Sequence, residues 1–228
     1  MQPKVFIIIP AFNESLILAS VIRGIKLATS AFKPELVVVN DGSTDNTGKI
    51  AAQAGVTVLT HRLNRGLGAA LGTGLTYAKT QNADVAVTLD ADGQHDPADI
   101  ARILEPILQS EADVVIGTRL LSRYGHMPLD RLIVNWFSNF ITWVLFRVWT
   151  TDSQSGFRGF SRQAINSLQL KTERMEVSSE IFAEVRQHKL KLAEVPIRVI
   201  YTPYSRRKGQ STLNAVHVFF KLLLRLAR

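Results

Sequence analysis

Residues 84–93 read Asp-Val-Ala-Val-Thr-Leu-Asp-Ala-Asp-Gly, and this stretch decides the fold. It joins a short apolar run to a polar turn that carries two carboxylates. A short, continuous and partly β-branched apolar run is typical of a strand that is buried on both faces. The carboxylates follow the end of that strand, and in a parallel sheet this edge is where ligands bind.

The same unit of apolar strand, polar turn and amphipathic helix recurs around this stretch. Strands are predicted at 5–9, 35–40, 56–59, 84–89 and 113–116, and helices at 16–28, 44–54, 66–79 and 97–109. Strand and helix alternate with short connections over about the first 120 residues. This rhythm predicts an α/β fold with a Rossmann-like, mainly parallel sheet and helices on both faces.

Composition narrows the class of protein further. The chain has 228 residues, 46 % of them hydrophobic, and no cysteine. It is therefore long and apolar enough for a full core, and disulfide scaffolds, thiol nucleophiles, zinc ribbons and iron–sulfur sites are excluded. The 27 Lys and Arg against 19 Asp and Glu leave a net charge of +8, which predicts an anionic partner. Nucleic acid is the weaker candidate, because the basic residues are dispersed along the chain.

Asp90 and Asp92 form an Asp-x-Asp pair in the turn after the fourth predicted strand. Two carboxylates one residue apart can both reach Mg²⁺ or Mn²⁺, with phosphate oxygens and water completing the coordination. The same residues also suit an ordinary polar turn. Their place at the end of a strand in an α/β framework favours the metal site.

Polar side chains follow other strands of the predicted sheet as well. Asn13 and Glu14 follow the first strand, and Asp41 follows the second. A carboxylate at this edge can receive a base or a ribose. Ser43 or Thr44 can cap the next helix, and the two roles are compatible. We expect these residues to converge with the Asp-x-Asp pair.

Gly66, Gly68 and Gly72 imitate a dinucleotide-binding fingerprint. That fingerprint belongs in the first strand–helix unit, whereas two units precede this one, and the last glycine comes one residue late. We therefore expect these glycines to let a helix N-terminus approach a neighbour or a phosphate. Arg65, just before them, either faces an anion or is a surface residue.

After residue 119 the strand–helix rhythm fades, and aromatic residues and arginine become more frequent. We expect this part to be built onto the first sheet. Arginine suits bidentate binding of phosphate, and from residue 119 onward we single out four arginine sites in predicted glycine- or serine-bearing loops, at Arg119, Arg131, Arg158 and Arg206-Arg207.

Five ordered motifs resemble family 2 glycosyltransferases, and their order and spacing are similar to the dolichyl- and polyprenyl-phosphate mannose synthase branch. They are 10–14, 40–45, 90–95, Asp152 with 155–158, and 196–197 with 209–211. The chain departs from the pattern at Asn135, where relatives often have Ser, and at Thr212, where the usual ending has Lys. The resemblance implies a GT-A fold. In that fold 1–120 would bind the nucleotide sugar and metal, and 121–228, fused into the same domain, would bind the acceptor.

The resemblance also implies roles for individual residues. The nucleotide would be held by Pro10, Asn13, Glu14 and Asp41, with Arg65 nearby, and the metal by Asp90, Asp92 and Gln94. Catalysis would involve Asp90, Asp92, Arg119 and Asp152, and the acceptor and its phosphate would meet Arg131, Ser155, Gly156, Arg206 and Arg207. Glu180 matches an acidic family position to which the residues alone assign no role.

The predicted reaction is a metal-dependent, inverting transfer of a hexose to a polyprenyl (dolichyl or undecaprenyl) phosphate. GDP-mannose is the favoured donor by resemblance, and a UDP-sugar is the alternative. Two other functions stay open: transfer to a glycan hydroxyl, for which Asp152 would be the first candidate base, and non-catalytic binding of a nucleotide sugar at a membrane.

Two helical stretches, 131–149 and 214–228, carry narrow polar stripes between wide apolar faces. Such helices fit the interface of an anionic membrane, although packing on the core or on each other is the alternative. We find no signal peptide and no apolar run of about 18 residues that would span a bilayer. The expectation is a peripheral protein at the cytoplasmic face of the cell membrane.

Overall fold

The computed structural model describes residues 2–120 and 129–200. Within these ranges one sheet contains the strands β1 Val5–Ala11, β2 Glu35–Asn40, β3 Thr57–Thr60, β4 Val85–Thr88, β5 Val114–Thr118, β6 Arg158–Ser161 and β7 Leu192–Pro196. Their order is β3-β2-β1-β4-β6-β5-β7. All pairings are parallel except those of β6 with β4 and β5. The predicted mainly parallel sheet is confirmed.

Helices cover both faces of the sheet, as predicted. They are α1 Leu18–Ala28, α2 Thr47–Gln53, α3 Leu67–Thr80, α4 Ile100–Leu108, α5 Leu129–Phe146, α6 Arg162–Ser167 and α7 Val177–Gln187, with a 3₁₀ turn at Pro97–Asp99 ahead of α4. One apolar core lies between the sheet and α1 and α4, and a second lies between the sheet and α3, α6 and α7.

The apolar run near the start of the chain explains why β1 lies inside the sheet. Phe6, Ile7, Ile8 and Ile9 are fully buried. Successive side chains of a strand point to opposite faces, so Ile7 and Ile9 enter one core and Phe6 and Ile8 the other. Gly74 of α3 allows the helix to approach closely, because a Cβ there would lie 2.3 Å from Ile8 Cγ2. The strand end that carries the candidate site is thus firmly supported.

The elements predicted for the first 120 residues are all present, and their ends differ by a few residues. The main difference lies at 97–109, where a single helix is expected. The side chain of Asp96 accepts a hydrogen bond from the backbone N–H of Ala98 and begins a 3₁₀ turn, so the α-helix starts only at Ile100.

The sequence pattern does not reveal β6 and β7. Strand β6 has Arg158 and Gly159 within its four residues, and β7 is an edge strand that is partly exposed along its length. Neither is an uninterrupted apolar run, and their partners are far away in the sequence. Both strands nevertheless join the sheet that the first 120 residues begin.

Candidate active site

The turns that follow β1 and β2 are tied together by hydrogen bonds. The backbone N–H of Asn13 donates to Ser43 Oγ at 3.0 Å, and the N–H of Thr44 donates to Asn13 Oδ1 at 2.9 Å. The N–H of Glu14 donates to Thr47 Oγ1 at 2.8 Å. Since Asn13 has a φ of 53°, the chain turns sharply there. The predicted convergence of these two turns is observed, and Pro10 lies beside it in β1.

Asp41 is buried at the end of β2, and its carboxylate is surrounded by donors. Asp41 Oδ1 is 2.7 Å from His61 Nδ1 and accepts the backbone N–H of Arg65 at 3.0 Å. Asp41 Oδ2 accepts the N–H of Gly66 at 2.7 Å. The other ring nitrogen of His61 lies 2.9 Å from Thr73 Oγ1. The carboxylate therefore fixes the turn between β3 and α3, while its predicted role toward the nucleotide stays a prediction.

The glycines before and within α3 allow contact with a neighbouring segment of protein. A Cβ at Gly66 would lie 2.7 Å from Glu173 O, and one at Gly68 would lie 2.0 Å from Thr172 O. The side chain of Arg65, about half exposed, donates to Glu173 Oε1 at 2.8 Å. The sequence leaves a protein neighbour or a phosphate as alternatives for this helix N-terminus, and the structure places the protein segment around Thr172 and Glu173 there.

Glu180, which the sequence leaves without a role, holds that same neighbouring segment. Its carboxylate accepts the backbone N–H groups of Lys171 at 2.8 Å and Thr172 at 2.9 Å, and the Thr172 hydroxyl at 2.5 Å. Glu173, the next residue, accepts a hydrogen bond from the N–H of Ala69 in α3 through its carbonyl. Glu180 therefore supports the β3–α3 turn indirectly, through the 171–173 segment that packs against it.

Asp90 and Asp92 lie at the end of β4 with their predicted neighbour Gln94. The backbone N–H of Gln94 donates to Asp92 Oδ1 at 2.9 Å, and Gln94 Nε2 donates to Asp92 Oδ2 at 2.6 Å. Asp90 Oδ2 is 3.2 Å from Nε2 of His95, a buried ring that packs on Phe157. Gln94 and His95 thus orient one carboxylate each.

The two carboxylates differ in their electrostatic environment. Burial acts to raise the pKa of Asp90, but the hydrogen bond and charge of His95 and the charges of Arg158 and Arg119 outweigh it and lower that pKa. Burial and the negative charge of Asp90 raise the pKa of Asp92. A cation near both groups would relieve this repulsion.

The residues present fit a metal ion that is shared with a substrate. In the described part of the chain no cluster of three or more His, Cys, Asp or Glu side chains could hold a metal. Mg²⁺ and similar ions are commonly bound by one or two carboxylates together with substrate phosphates and water. Asp90 and Asp92 match that mode of binding.

Gly156, one of the predicted acceptor residues, lies directly against Asp90, and Ser155 precedes it in the same turn. A Cβ at Gly156 would lie 2.4 Å from both carboxylate oxygens of Asp90, so a larger residue there would displace that carboxylate. Its carbonyl accepts the Thr88 hydroxyl at 2.9 Å, and Ser155 Oγ accepts the N–H of Phe157 at 3.3 Å. The donor and acceptor motifs of the sequence therefore meet at this point.

Arg119 and Asp152 form a bidentate ion pair next to this turn. Arg119 Nε and Nη2 each lie 2.7 Å from one Asp152 oxygen, and the backbone N–H of Arg119 donates to the same carboxylate at 3.0 Å. Asp152 is fully buried, whereas the side chain of Arg119 keeps 18 % of its surface exposed. Both Asp152 oxygens accept hydrogen bonds from Arg119, and the guanidinium is the partly exposed member of the pair.

Arg158, one of the four arginine sites that the sequence singles out, is a buried cation in the structure. Its Nη2 donates to Ser153 O at 3.2 Å and to Ser178 Oγ at 3.1 Å, and among the described residues its Nε has no partner. Burial lowers its pKa to about 10, although Asp90 and Asp152 oppose this. Arg158 therefore places a fixed positive charge near the carboxylates of Asp90 and Asp152. The sequence marks it as an arginine site in the Ser-Gly-Phe-Arg motif, but its burial is visible only in the fold.

Three predicted site residues cannot be placed in full. Arg206 and Arg207 lie outside the described residues, as does the predicted helix at 214–228. The backbone of Arg131 lies in α5, but its side chain is also outside the described part. Their predicted contacts with acceptor phosphate stay predictions.

The fold and the paired carboxylates at its carboxyl edge define a nucleotide-sugar transferase of the GT-A class. The model for glycosyl transferase family 2 matches residues 6–168, and the chain belongs to that family. The resemblance inferred from the motifs is therefore confirmed.

Several of the named relatives are polyprenyl-phosphate sugar transferases. The chain is 36 % identical to a UDP-N-acetylglucosamine–dolichyl-phosphate N-acetylglucosaminyltransferase of Methanococcus voltae, over 96 % of this chain and 95 % of the relative. It is 27 % identical to an undecaprenyl-phosphate mannosyltransferase of Micrococcus luteus, over 92 % and 88 %. Glucosyl-3-phosphoglycerate synthase from Mycobacterium tuberculosis, solved with Mn²⁺, UDP and phosphoglyceric acid, superposes with a TM-score of 0.72. It covers 98 % of this chain and 78 % of its own at 22 % identity, and this likeness supports the GT-A fold.

Proposed function

We propose that this chain transfers a sugar from a nucleotide-diphosphate donor to a polyprenyl phosphate, with a divalent metal ion and with inversion at the anomeric carbon. The observation that carries the proposal is the position of Asp90. It lies between the Asp92 turn and Gly156, and Arg119 and Arg158 are close enough to lower its pKa. A site of this kind has carboxylates for a metal-bound diphosphate and, in Arg119, a partly exposed cation for a second phosphate.

The charged group that is partly exposed on the acceptor side is the Arg119 guanidinium, and a cation suits an acceptor that is already ionised. A phosphate monoester is largely ionised at neutral pH, so it needs positioning more than a general base. Asp152, the first candidate base for a hydroxyl acceptor, is fully buried and paired through both oxygens with Arg119. This geometry supports a lipid phosphate over a glycan hydroxyl. Two relatives support the same acceptor class, since they are named for transfer to dolichyl phosphate and to undecaprenyl phosphate.

For the mechanism, Asp90 and Asp92 would hold Mg²⁺ or Mn²⁺, which as a Lewis acid stabilises the leaving diphosphate. Gln94 and His95 keep the two carboxylates oriented. The guanidinium of Arg119 offers a preorganised positive charge beside them, which stabilises negative charge as the glycosidic bond breaks. Attack of the acceptor oxygen on the face opposite the nucleotide inverts the anomeric carbon.

The donor is the finer part of the proposal. By resemblance the sequence favours GDP-mannose, whereas the relative at 36 % identity is named for UDP-N-acetylglucosamine. That relative aligns over nearly the whole chain, so we put UDP-N-acetylglucosamine first and GDP-mannose second. The donor phosphates and metal would be held in the same way in both cases.

A membrane surface is the proposed place of action, at the cytoplasmic face, with the protein bound peripherally. The outer side of α5 exposes an aromatic surface that consists of Leu132, Trp136, Phe137, Phe140 and Trp143, each with 37–66 % of its surface exposed. The polar residues Asn135, Asn139 and Thr142 of the same helix are buried instead. Apolar and aromatic faces of this size suit a bilayer interface. No helix in the described ranges is long and apolar enough to span a bilayer.

The decisive experiment offers UDP-N-acetylglucosamine and GDP-mannose, each with Mn²⁺ or Mg²⁺, to polyprenyl phosphates and to glycan acceptors, and identifies the products. Glycolipid formed from either donor supports the proposal. Product in glycan alone supports the hydroxyl-acceptor function, and nucleotide binding without transfer or hydrolysis supports a binding protein.

Liposome flotation tests the membrane part separately. Replacement of Trp136 and Phe140 by Gln should release the chain from anionic vesicles at low salt. The same replacement of Leu27 and Leu63, which are exposed at 71 % and 77 % elsewhere on the surface, should not. Equal flotation of the two double variants would contradict the assignment of the α5 surface.

A further inference from the structure

Helix α5 has its polar side turned inward, and Asn139 lies at the middle of that side. Asn139 is 7 % exposed, and Asn135 and Thr142 on the same side are also buried. Asn is neutral to unfavourable inside a helix, so a buried Asn in this position needs partners for its amide. Those partners lie in the segment 150–153, which leads into the candidate active site.

Asn139 contacts the residues on both sides of Asp152. Its Nδ2 donates to the carbonyl oxygen of Thr151 at 2.6 Å, and its Oδ1 accepts the backbone N–H of Ser153 at 2.8 Å. Asn135 adds a longer bond, 3.1 Å, to the same carbonyl. Glu194 binds the N–H and hydroxyl of Thr151 from the other side. Within the described part of the chain, Asn139 is the side chain that is hydrogen-bonded to the backbone both before and after Asp152.

The orientation of Arg119 depends in turn on Asp152. Three hydrogen bonds join Arg119 to this carboxylate, and Asp152 has no exposed surface with which to adjust. Packed interiors transmit small displacements, so a shift of the 151–153 backbone moves the guanidinium. A misplacement of about 1 Å at a reacting centre costs about 100-fold in rate.

We propose that Asn139 is a positioning residue that sets the Arg119–Asp152 pair for the transfer step. The proposal rests on the proposed function, in which Arg119 stabilises charge on phosphate. Asn139 reaches no reacting atom, and it acts through the backbone of Thr151 and Ser153. Nucleotide affinity depends mainly on the other edge of the site and should not change.

The test compares Asn139→Ala with the matched control Thr142→Val in the full chain. Thr142 lies on the same buried side of α5, but among the described residues its hydroxyl donates only to Ser138 O in its own helix, at 2.9 Å. For Asn139→Ala we expect kcat to fall about 10- to 100-fold, once it is normalised to the fraction of chains that bind UDP with Mn²⁺. The KM for the donor should stay within about twofold. Thr142→Val should keep kcat even if its melting temperature falls as far.

A double-mutant cycle separates positioning from a general structural effect. In an Arg119→Lys background the bidentate pair cannot form. Asn139→Ala should then lower kcat by less than about threefold. The same loss in both backgrounds would overturn the proposal, and so would an equal loss in Thr142→Val.

Hydrogen exchange keeps this proposal separate from the proposed function. If the wild-type chain transfers no sugar to any polyprenyl phosphate, the proposed function fails. The N–H of Ser153 can still be followed without acceptor, and Asn139→Ala should speed its exchange relative to wild type and to Thr142→Val. Unchanged protection of Ser153 would show that Asn139 does not hold this segment.

Discussion

The two sides of the candidate site are built in different ways. On the donor edge, which comprises the turns 10–15, 41–45 and 90–95, the carboxylates are held by nearby backbone N–H groups and polar side chains. On the acceptor side, which comprises 118–119 and 150–158, Asp152 and Arg158 are buried, and Asp152 is paired with Arg119 from a distant part of the sequence. The first arrangement leaves carboxylates available to a cation, and the second supplies fixed positive charge. A site that handles a diphosphate and a second phosphate needs both.

The largest expected effect comes from removal of the donor-edge carboxylate at Asp92. Under the proposed function, Asp92→Ala leaves Asp90 as the single carboxylate of the pair, and we expect transfer to fall by about 1,000-fold or more at any Mn²⁺ concentration. The control is Asp84→Asn, since Asp84 is paired with Arg162 at the surface before β4. Full activity of Asp92→Ala with Mg²⁺ or Mn²⁺ would remove the metal role.

Asp152→Asn tests the acceptor side and should have the next largest effect. The amide cannot accept all three hydrogen bonds from Arg119, so the guanidinium loses its orientation, and we expect kcat to fall about 100-fold with residual transfer to lipid phosphate. A general base for a hydroxyl would instead be indispensable, and the residual rate would vanish with it. Product formation over long incubation, with Thr142→Val as the folding control, distinguishes the two. No detectable product from Asp152→Asn would favour a base.

The same contrast explains what could be predicted from the sequence. The donor edge is local, because each polar turn follows its own apolar strand, and the convergence of Asn13, Asp41 and Asp90 follows from a parallel sheet. The acceptor side depends on contacts that no periodicity encodes. Strand β6 is short and contains Arg158, and its antiparallel pairing with β4 brings Gly156 to Asp90.

Helix α5 shows the same limit. Its polar stripe is plain in the sequence, but a stripe does not say whether it faces water or the 150–153 segment. Asn139 therefore has no predicted role, and Glu180 also acquires one only when Thr172 and Gly68 are seen in contact. The roles assigned to the predicted site residues stay predictions, on the donor edge and on the acceptor side alike.

Glu180→Gln tests whether the division between the two sides is complete. Glu180 comes late in the sequence, yet it supports the β3–α3 turn of the donor side through Lys171 and Thr172. The variant places an amide N–H against one of these two backbone N–H groups. We expect the KM for the nucleotide-sugar donor to rise about tenfold, while kcat changes little. The matched control is Glu184→Gln, one turn later in α7, which binds the N–H of Gln169 instead. Equal KM changes in the two variants would contradict this role for Glu180.

The smallest effect concerns Asp45, which tests how locally the donor edge is stabilised. Burial acts to raise its pKa, but hydrogen bonds from Thr47 and Ser15 prevail and lower the pKa to about 2. Because the folded pKa lies below the ordinary value of 3.8, this stabilisation is complete above that pH and is lost as pH falls toward 2. Asp45→Asn should therefore melt slightly below wild type at neutral pH, and the gap should close between about pH 4 and pH 2. Melting curves of both chains over this range measure the gap. A difference in melting temperature that stays constant down to pH 2 would mean that the Asp45 carboxylate does not hold the β1–α1 turn against α2. This part of the donor edge would then be supported by the hydrogen bonds of Asn13 and Glu14 alone.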